Sequence, residues 1–210
     1  VDEKGIGQSQ ISILDALLKL RQICCHPRLL KLDMPGFNAN LPSGKFEAFK
    51  DLVTSIIDDG HKVLVFSQFV QMLHIIRSWL QIREVPFAYL DGSSKDRFEQ
   101  VDKFNDTPEI PIFLISLKAG GTGLNLTSAD YVIHYDPWWN PAVENQATDR
   151  THRIGQKRQV FAYKMICQNT VEEKILKLQE MKKDVAESII PGQSAFKSLT
   201  RDDLEMLFEV

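Results

Sequence analysis

A chain of 210 residues, 43% hydrophobic and 25% charged, has the size and composition of one globular domain with appended helices. It contains no apolar run near the roughly 18 residues of a membrane span and no secretory signal pattern, so we expect no membrane partner and an intracellular location. The formal net charge of −3 does not by itself indicate a nucleic-acid binder, and a first residue of Val instead of Met suggests a piece of a longer protein.

The three cysteines favour reduced thiols over a disulfide framework or a zinc site. Their number is odd, and no CxxC pair occurs. The adjacent side chains of Cys24, Cys25 and His26 diverge on a helix or a strand, and no second cluster accompanies them. We expect Cys24, Cys25 and Cys167 to act as small hydrophobic residues in a reducing compartment, with no metal bound.

Apolar periodicity predicts the first element between Ile11 and about Cys25. This amphipathic helix is ended with the help of Pro27. Residues 35–44 hold prolines, glycines and asparagines without periodicity, which indicates a loop or hinge. The sequence therefore predicts a helical segment over residues 1–34 that leads into the main domain.

Helices and strands then alternate through residues 45–168. The predicted elements are a helix over Phe46–Asp59 closed by Gly60, a strand over Lys62–Phe66, a helix over Val70–Ile82, a strand over Phe87–Leu90, a helix with Phe98, Val101 and Phe104 on one side, strands over Ile112–Ile115 and Tyr131–Tyr135, a helix from Pro141 to about His152, and a strand over Gln159–Ile166. Such alternation predicts a mostly parallel sheet in an α/β fold, covered by helices on both faces. In these sheets ligands gather at the carboxyl ends of the strands.

Residues 169–210 have a different pattern. Thr170 to Glu173 has the form of a capping box, and one apolar stripe follows along a long helix that ends at Pro191-Gly192. A short helix is predicted around Asp202 to Phe208. We interpret these terminal helices as structural.

The strongest chemical signal lies between Gln146 and Gln156. On a helix, Gln146, Arg150 and Arg153 would share one face, and two guanidinium groups there suit the oxygens of a terminal phosphoryl group. From Arg150 to Val171 no residue is acidic, which makes a local basic patch. For two arginines alone, solvation or internal pairing with a carboxylate is the favoured interpretation.

A glycine-rich stretch follows the predicted strand that ends near Ile115. Gly120, Gly121 and Gly123 let the backbone approach a phosphate, and Ser116 and Lys118 add a hydroxyl and a charge. The stretch is neither a Walker A sequence nor a dinucleotide fingerprint, and in isolation it predicts only a tight turn.

Polar and aromatic residues follow other strands as well. Ser67 and Gln68 come after one strand, and Ser93 comes after the next. Each of these two stretches, taken alone, is an ordinary polar loop. In Asp136-Pro-Trp-Trp-Asn-Pro, one tryptophan is expected in the core, while an aromatic ring beside a basic patch can also contact bases.

Together, and in this order, the stretches resemble the C-terminal half of the SWI/SNF-type branch of helicase superfamily two. The matching stretches are Leu20–Pro27, Ser43–Lys45, Val65–Gln68, Leu90–Ser93, Ala119–Leu126, Asp136–Pro141, Gln146–Gln156 and Thr170–Ile175. They cover nearly the whole chain, and the form from Asp136 to Glu144 is more similar to microbial members than to nuclear remodelers.

The resemblance implies a RecA-like three-layer lobe with a C-terminal brace helix, and it implies roles for individual residues. Arg150 and Arg153 would be catalytic arginine fingers, with Gly123 and Gln146 near the nucleotide. The implied contacts to DNA phosphates are Ser67, Gln68, Ser93, Ser116 and Lys118, and Trp139 would approach the duplex.

The resemblance also implies ATP with Mg²⁺ as the cofactor and double-stranded DNA as a partner. The Walker A lysine and the Asp-Glu-x-His motif of the family belong to the first lobe and are missing here, so the isolated chain should be inactive and needs that N-terminal lobe as a partner. A DNA-bound protein complex is a further expected partner.

The alternative function is that of a non-catalytic regulatory lobe that binds DNA or proteins. A self-sufficient small-molecule enzyme lacks an identifiable nucleophile–base pair.

Overall fold

The structure is a computed structural model that describes residues 3–30, 41–120, 124–149, 158–186 and 206–207. The helices are α1 (Glu3–Cys25), α2 (Gly44–Asp58), α3 (Val70–Ile82), α4 (Arg97–Asp106), α5 (Leu117–Gly120), α6 (Pro141–Thr148) and α7 (Val171–Ala186), with a 3-10 turn at Pro27–Leu29. The strands are β1 (Val63–Ser67), β2 (Phe87–Leu90), β3 (Ile112–Ser116), β4 (Tyr131–His134) and β5 (Phe161–Lys164). Among the helices described, none has both the length and the apolar character needed to cross a membrane.

The five strands form one parallel sheet in the order β2-β3-β1-β4-β5. The near-continuous apolar runs of β1 and β3 are buried along their whole length, because helices cover both faces of the sheet. The chain leaves β1 toward one edge and later returns to the other side of β1 through β4. This reversal of strand order lies beside β1, and ligands bind in the crevice at such a point.

Strand alternation divides the core into two clusters, one on each face of the sheet. Val63 and Val65 of β1 pack with α2 and α3 on one face, whereas Leu64 and Phe66 pack with α4 and α5 on the other. Successive strand side chains point to opposite faces, so β1 contributes to both clusters. The predicted α/β fold, a parallel sheet with helices on both faces, is confirmed.

Several predicted element ends depend on local backbone chemistry. Ser43 caps α2 by accepting a hydrogen bond from the Phe46 N–H group, and Asn140 caps α6 in the same way through Ala142. Gly60 has φ of 77°, the left-handed conformation predicted for the residue that closes α2.

The prediction for the buried side of α4 is wrong at one position. Val101 and Phe104 are buried, but Phe98 is 78% exposed. At 3.6 residues per turn, Phe98 lies about 120° around the helix from Phe104, which places it outside the buried stripe.

Two further elements are shorter than predicted. Helix α6 ends at Thr148 with Asp149 as its C-cap, before the predicted end near His152, and β5 covers only Phe161–Lys164 of the predicted strand. Residues 150–157, and most of the terminal helix predicted at 202–208, lie outside the described residues.

Candidate functional site

The carboxyl ends of β1 and β3 bring two predicted site residues side by side. Ser67 and Ser116 are register partners at the last position of the two strands, and both are buried. Gln68 follows Ser67 directly, and Lys118 lies one residue beyond Leu117 on an exposed position of α5. These four residues, which were predicted to contact DNA, therefore lie close together at the carboxyl edge of the sheet.

The hydroxyl group of Ser67 is used inside the protein. It donates to Asp136 Oδ1 at 2.5 Å, and the Gln68 N–H group donates to Asp136 Oδ2 at 3.3 Å. Both bonds tie the end of β1 to the loop that follows β4. Ser67 therefore positions this edge, while the Gln68 side-chain nitrogen is buried without a hydrogen-bond partner among the described residues.

Asp136 lies beside the buried residue Arg21, for which the sequence predicted no role. Burial raises the pKa of Asp136, and the nearby Arg21 guanidinium opposes this effect. Arg21 Nη2 lies 4.0 Å from the Asp136 carboxylate and donates to the Pro137 carbonyl oxygen at 2.6 Å. Arg21 belongs to the matched stretch at Leu20–Pro27, and that was the available signal. Through these contacts Arg21 fixes the loop after β4 to α1.

Trp139 packs in the interior. Its side chain is 4% exposed, and the Arg21 guanidinium lies 4.8 Å from its ring centre. It shares a cluster with α1 and α7 residues, whereas Trp138 is partly buried. One tryptophan of the pair is thus a core residue, as expected. In this arrangement the Trp139 ring offers little surface to a duplex.

The loop after β2 is organised by Asp91. The N–H and hydroxyl groups of Ser93 donate to Asp91 Oδ1 at 2.8 and 2.6 Å. The hydrogen bond from the Ser93 hydroxyl is the main reason that the pKa of Asp91 is lowered. Ser93 is exposed, but its hydroxyl hydrogen is engaged with this carboxylate, which fixes the turn that leads to α4.

The glycine-rich stretch begins with the short helix α5, whose residue Ala119 makes two hydrogen bonds. Ser116 Oγ accepts a hydrogen bond from the Ala119 N–H group at 3.3 Å, and Arg97 donates to the Ala119 carbonyl oxygen. Lys118, the residue before Ala119, is exposed. Gly123, predicted near the nucleotide, lies outside the described residues.

Helix α6 carries Gln146 on an exposed position and is anchored by Glu144. The Glu144 side chain is fully buried. It accepts a hydrogen bond from the Trp138 N–H group at 2.6 Å, and Lys164 Nζ lies 2.5 Å from its other oxygen. Gln179 of α7 donates to it at 3.2 Å. This network fixes α6 to the loop after β4, to β5 and to α7.

Arg150 and Arg153, which follow α6 in the sequence, lie outside the described residues.

The predicted basic patch is partly neutralised within the fold. Arg158 Nη1 lies 3.1 Å from Asp130, and Lys164 is paired with Glu144. Both basic side chains remain partly exposed, at 62% and 38%. These two side chains are thus part of the internal ion pairs of the fold as well as of the basic surface.

Lys45 is not a phosphate ligand in this structure. Its Nζ donates to the Glu172 carboxylate oxygens at 2.7 and 2.5 Å, and to the carbonyl oxygens of Tyr135 and Met165 at 3.1 and 3.0 Å. The Lys45 and Glu172 side chains are 3% and 0% exposed. The Lys45 ammonium group is therefore engaged inside the protein, where it joins α2 to α7.

Carboxylates at the carboxyl edge are engaged in loop structure. Asp91 and Asp136 both accept hydrogen bonds from neighbouring serine hydroxyls, and these bonds fix the loops that follow β2 and β4. Within the described ranges, one group of three possible metal ligands lies together, namely Cys24, Cys167 and Glu172, with ligand atoms within 4.8 Å of one another.

Comparison with known proteins gives consistent results. Residues 44–155 match the family of helicase conserved C-terminal domains. The putative ATP-dependent helicase/translocase YwqA of Bacillus subtilis is 44% identical over 205 residues, which cover 96% of this chain and 22% of that protein. The human chromatin-remodeling ATPase INO80 is 43% identical over 152 residues, which cover 71% of this chain and 10% of that protein. The chain thus spans about a fifth of the length of the bacterial relative.

Solved structures of similar fold include two from Sulfolobus solfataricus. The SWI2/SNF2 ATPase core in complex with dsDNA superposes with a TM-score of 0.72 at 37% identity, covering 97% of this chain and 43% of that one. The SWI2/SNF2 ATPase C-terminal domain superposes with a TM-score of 0.68 at 37% identity, covering 95% of this chain and 82% of that one.

Proposed function

Since this chain belongs to the family of helicase conserved C-terminal domains and is of the SWI2/SNF2 type, we propose that it is the second motor lobe of an ATP-dependent translocase of double-stranded DNA. In this proposal the lobe comprises residues 45–168, and residues 169–210 form the brace and terminal helices. The parent protein binds ATP with Mg²⁺ mainly on its first lobe.

The observation that carries the proposal is the common edge at which the phosphate-contact candidates lie. Ser67 and Ser116 end adjacent strands, and Gln68 and Lys118 follow them at the same edge. Within the described part of the chain the buried side-chain nitrogen of Gln68 has no hydrogen-bond partner, and burying such a donor unpaired costs about 1–3 kcal/mol. In this proposal the Gln68 side chain rotates outward on DNA binding and donates to a phosphate oxygen. The Sulfolobus core that superposes on this chain was solved with dsDNA.

The candidate residues divide into those that bind DNA phosphates and those that hold the surrounding loops in place. Gln68 and Lys118 offer a donor and a charge to phosphate oxygens. Ser67 and Ser93 hold their loops in shape through Asp136 and Asp91. Phosphate contacts of this kind carry no base information, so the proposed grip on DNA is independent of sequence.

Nucleotide contact is assigned to the end of α6 and the stretch after it. ATP supplies the phosphoryl group whose transfer drives the motor. Gln146 is exposed on a helix that Glu144 fixes to three other parts of the fold, which gives a rigid base for the following residues. Arg150 and Arg153 are proposed to reach across the cleft between the two lobes of the parent protein and to contact that phosphoryl group as arginine fingers.

The test uses the two-lobe parent protein and measures DNA-stimulated ATP hydrolysis. Arg150→Ala and Arg153→Ala should each lower turnover by about 10³-fold or more, the effect of removing an arginine finger. Arg83→Ala, at the exposed end of α3 and the opposite edge of the sheet, is the control and should leave turnover unchanged. Full turnover in both finger variants would overturn the assignment and favour a regulatory, DNA-binding lobe.

A further inference from the structure

Two cysteines that are distant in the sequence lie together in the fold. Cys24 is near the end of α1, and Cys167 lies between β5 and α7. Their Sγ atoms are within 4.8 Å of each other, and Cys167 Sγ donates to the Cys24 carbonyl oxygen at 3.3 Å. The pair therefore spans the contact between the N-terminal helix and the start of α7.

The surroundings distinguish this pair from the third cysteine. Cys24 and Cys167 are partly exposed, whereas Cys25 is fully buried. The neighbouring Cys167 thiol lowers the pKa of the Cys24 thiol, and burial raises the pKa of Cys25. Because the thiolate is the nucleophile, Cys24 is the cysteine best prepared to react with a small oxidant.

The neighbouring carboxylate does not favour a metal ion at this place. Glu172 lies within reach of both sulfur atoms, but its oxygens accept hydrogen bonds from Lys45 Nζ, and one also accepts from the Cys167 N–H group at 2.8 Å. A bound cation would lie against the buried Lys45 ammonium group. The two thiols are better suited to react with each other.

We propose that Cys24 and Cys167 are a redox modification site at which hydrogen peroxide forms a reversible disulfide. The Cys24 thiolate attacks one peroxide oxygen, the O–O bond breaks, and protonation of the leaving oxygen gives water and a sulfenic acid. The Cys167 sulfur then attacks the Cys24 sulfur, the S–O bond breaks, and a second water leaves. The two thiols lose two electrons and two protons in total, and the peroxide is reduced to two waters.

The bond would join α1 covalently to the segment that begins α7. The cysteines are 143 positions apart, so the disulfide closes a loop that contains most of the chain. Such a closure mainly restricts the unfolded state, and we expect oxidation to raise the midpoint of thermal unfolding by roughly 5–10 °C. A disulfide requires the sulfur atoms to approach to about 2.05 Å, which rotation of the two side chains must provide.

The experiment treats the reduced chain with hydrogen peroxide in chelator-containing buffer and counts thiols under denaturing conditions. The wild-type count should fall from three to one, the mass should drop by two hydrogen atoms, and a peptide joining Cys24 to Cys167 should appear and disappear with dithiothreitol. Cys25→Ser, the matched control, should still form the bridge. Cys24→Ser and Cys167→Ser should form none and show no rise in the unfolding midpoint.

The wild-type mass measurement does not depend on the folding of any variant. The proposal is overturned if peroxide leaves all three thiols, if it adds oxygen to Cys24 without a bridge, or if Cys167 is joined to Cys25 instead. It is also overturned if the reduced chain binds one Co²⁺ with thiolate charge-transfer absorption that both Cys24→Ser and Cys167→Ser abolish, because that result would mark a metal centre.

Discussion

Ser67 Oγ lies 2.5 Å from Asp136 Oδ1, in a place where both side chains are almost fully buried. The bond connects the end of the central strand β1 with the loop after β4. Asp136 also contacts Arg21, which fixes the same loop to α1. A serine that the family resemblance implies as a DNA contact is thus part of the internal frame that carries the neighbouring Gln68.

Removal of the Ser67 hydroxyl should destabilise the fold. Ser67→Ala leaves a buried carboxylate without one of its hydrogen bonds, and bonds to charged groups contribute about 1.5–3 kcal/mol. We expect the free energy of unfolding, measured by urea denaturation, to fall by that amount. Ser78→Ala is the control, since its exposed hydroxyl only bonds to the His74 carbonyl oxygen, and its effect should stay within about 0.5 kcal/mol. Equal effects of the two variants would show that the bond to Asp136 contributes nothing.

The buried pair of Lys45 and Glu172 should behave as an all-or-none contact. Lys45→Met leaves the Glu172 charge buried without its partner, and breaking such a pair typically costs about 3–5 kcal/mol. The double variant Lys45→Met with Glu172→Leu should recover a large part of that loss in urea denaturation, because no buried charge then remains.

The matched control for this cycle is Lys50→Met. Lys50 pairs with Glu47 on the exposed side of α2 at 2.6 Å, and exposed pairs contribute only about 0–1 kcal/mol. If Lys45→Met cost no more than Lys50→Met, the interior pair would not hold α2 to α7.

The sheet was predictable because each strand carries its own signal. Val63–Ser67 and Ile112–Ser116 are apolar runs bounded by turn residues, and buried parallel strands have that pattern. Phe98 was mispredicted because its spacing from Phe104 looks regular in sequence but departs from the helical period.

The candidate site was predictable only as a set of residues at one edge. Sequence order places Ser67 and Ser93 after strands, but it does not reveal which carboxylate takes their hydroxyl hydrogens. Asp136 and Asp91 meet them through tertiary structure and loop geometry. The contact of Arg21 with Pro137 joins positions 116 apart, and nothing local in either stretch encodes it.

Acid should weaken the fold through His134. Burial lowers the pKa of His134 from 6.5 to about 4, so between these values the unfolded chain binds a proton that the folded chain excludes. Stability therefore falls as the pH drops from about 6.5 toward 4, by at most roughly 3 kcal/mol at 1.36 kcal/mol per pKa unit. Urea denaturation of wild type and His134→Gln across this range should show a steeper loss for wild type.

The exposed residue His74 on α3 provides the control for the acid prediction. His74→Gln replaces an exposed histidine, and its urea denaturation profiles should follow those of wild type across this range. A His134→Gln profile parallel to that of wild type would place the acid sensitivity in other groups.

DNA binding by the two-lobe parent protein should depend on Lys118 through charge alone. Each phosphate contact by a lysine contributes about −0.9 to the slope of log K against log salt concentration. Lys118→Ala should therefore weaken binding by the same factor on duplexes of different sequence and reduce the slope by about one, as measured by fluorescence anisotropy at several salt concentrations. Lys103→Ala changes an exposed lysine in the last turn of α4, toward the opposite edge of the sheet, and should alter neither affinity nor slope. A Lys118→Ala effect confined to one DNA sequence, or a slope equal to that of wild type, would remove Lys118 from the proposed phosphate contacts.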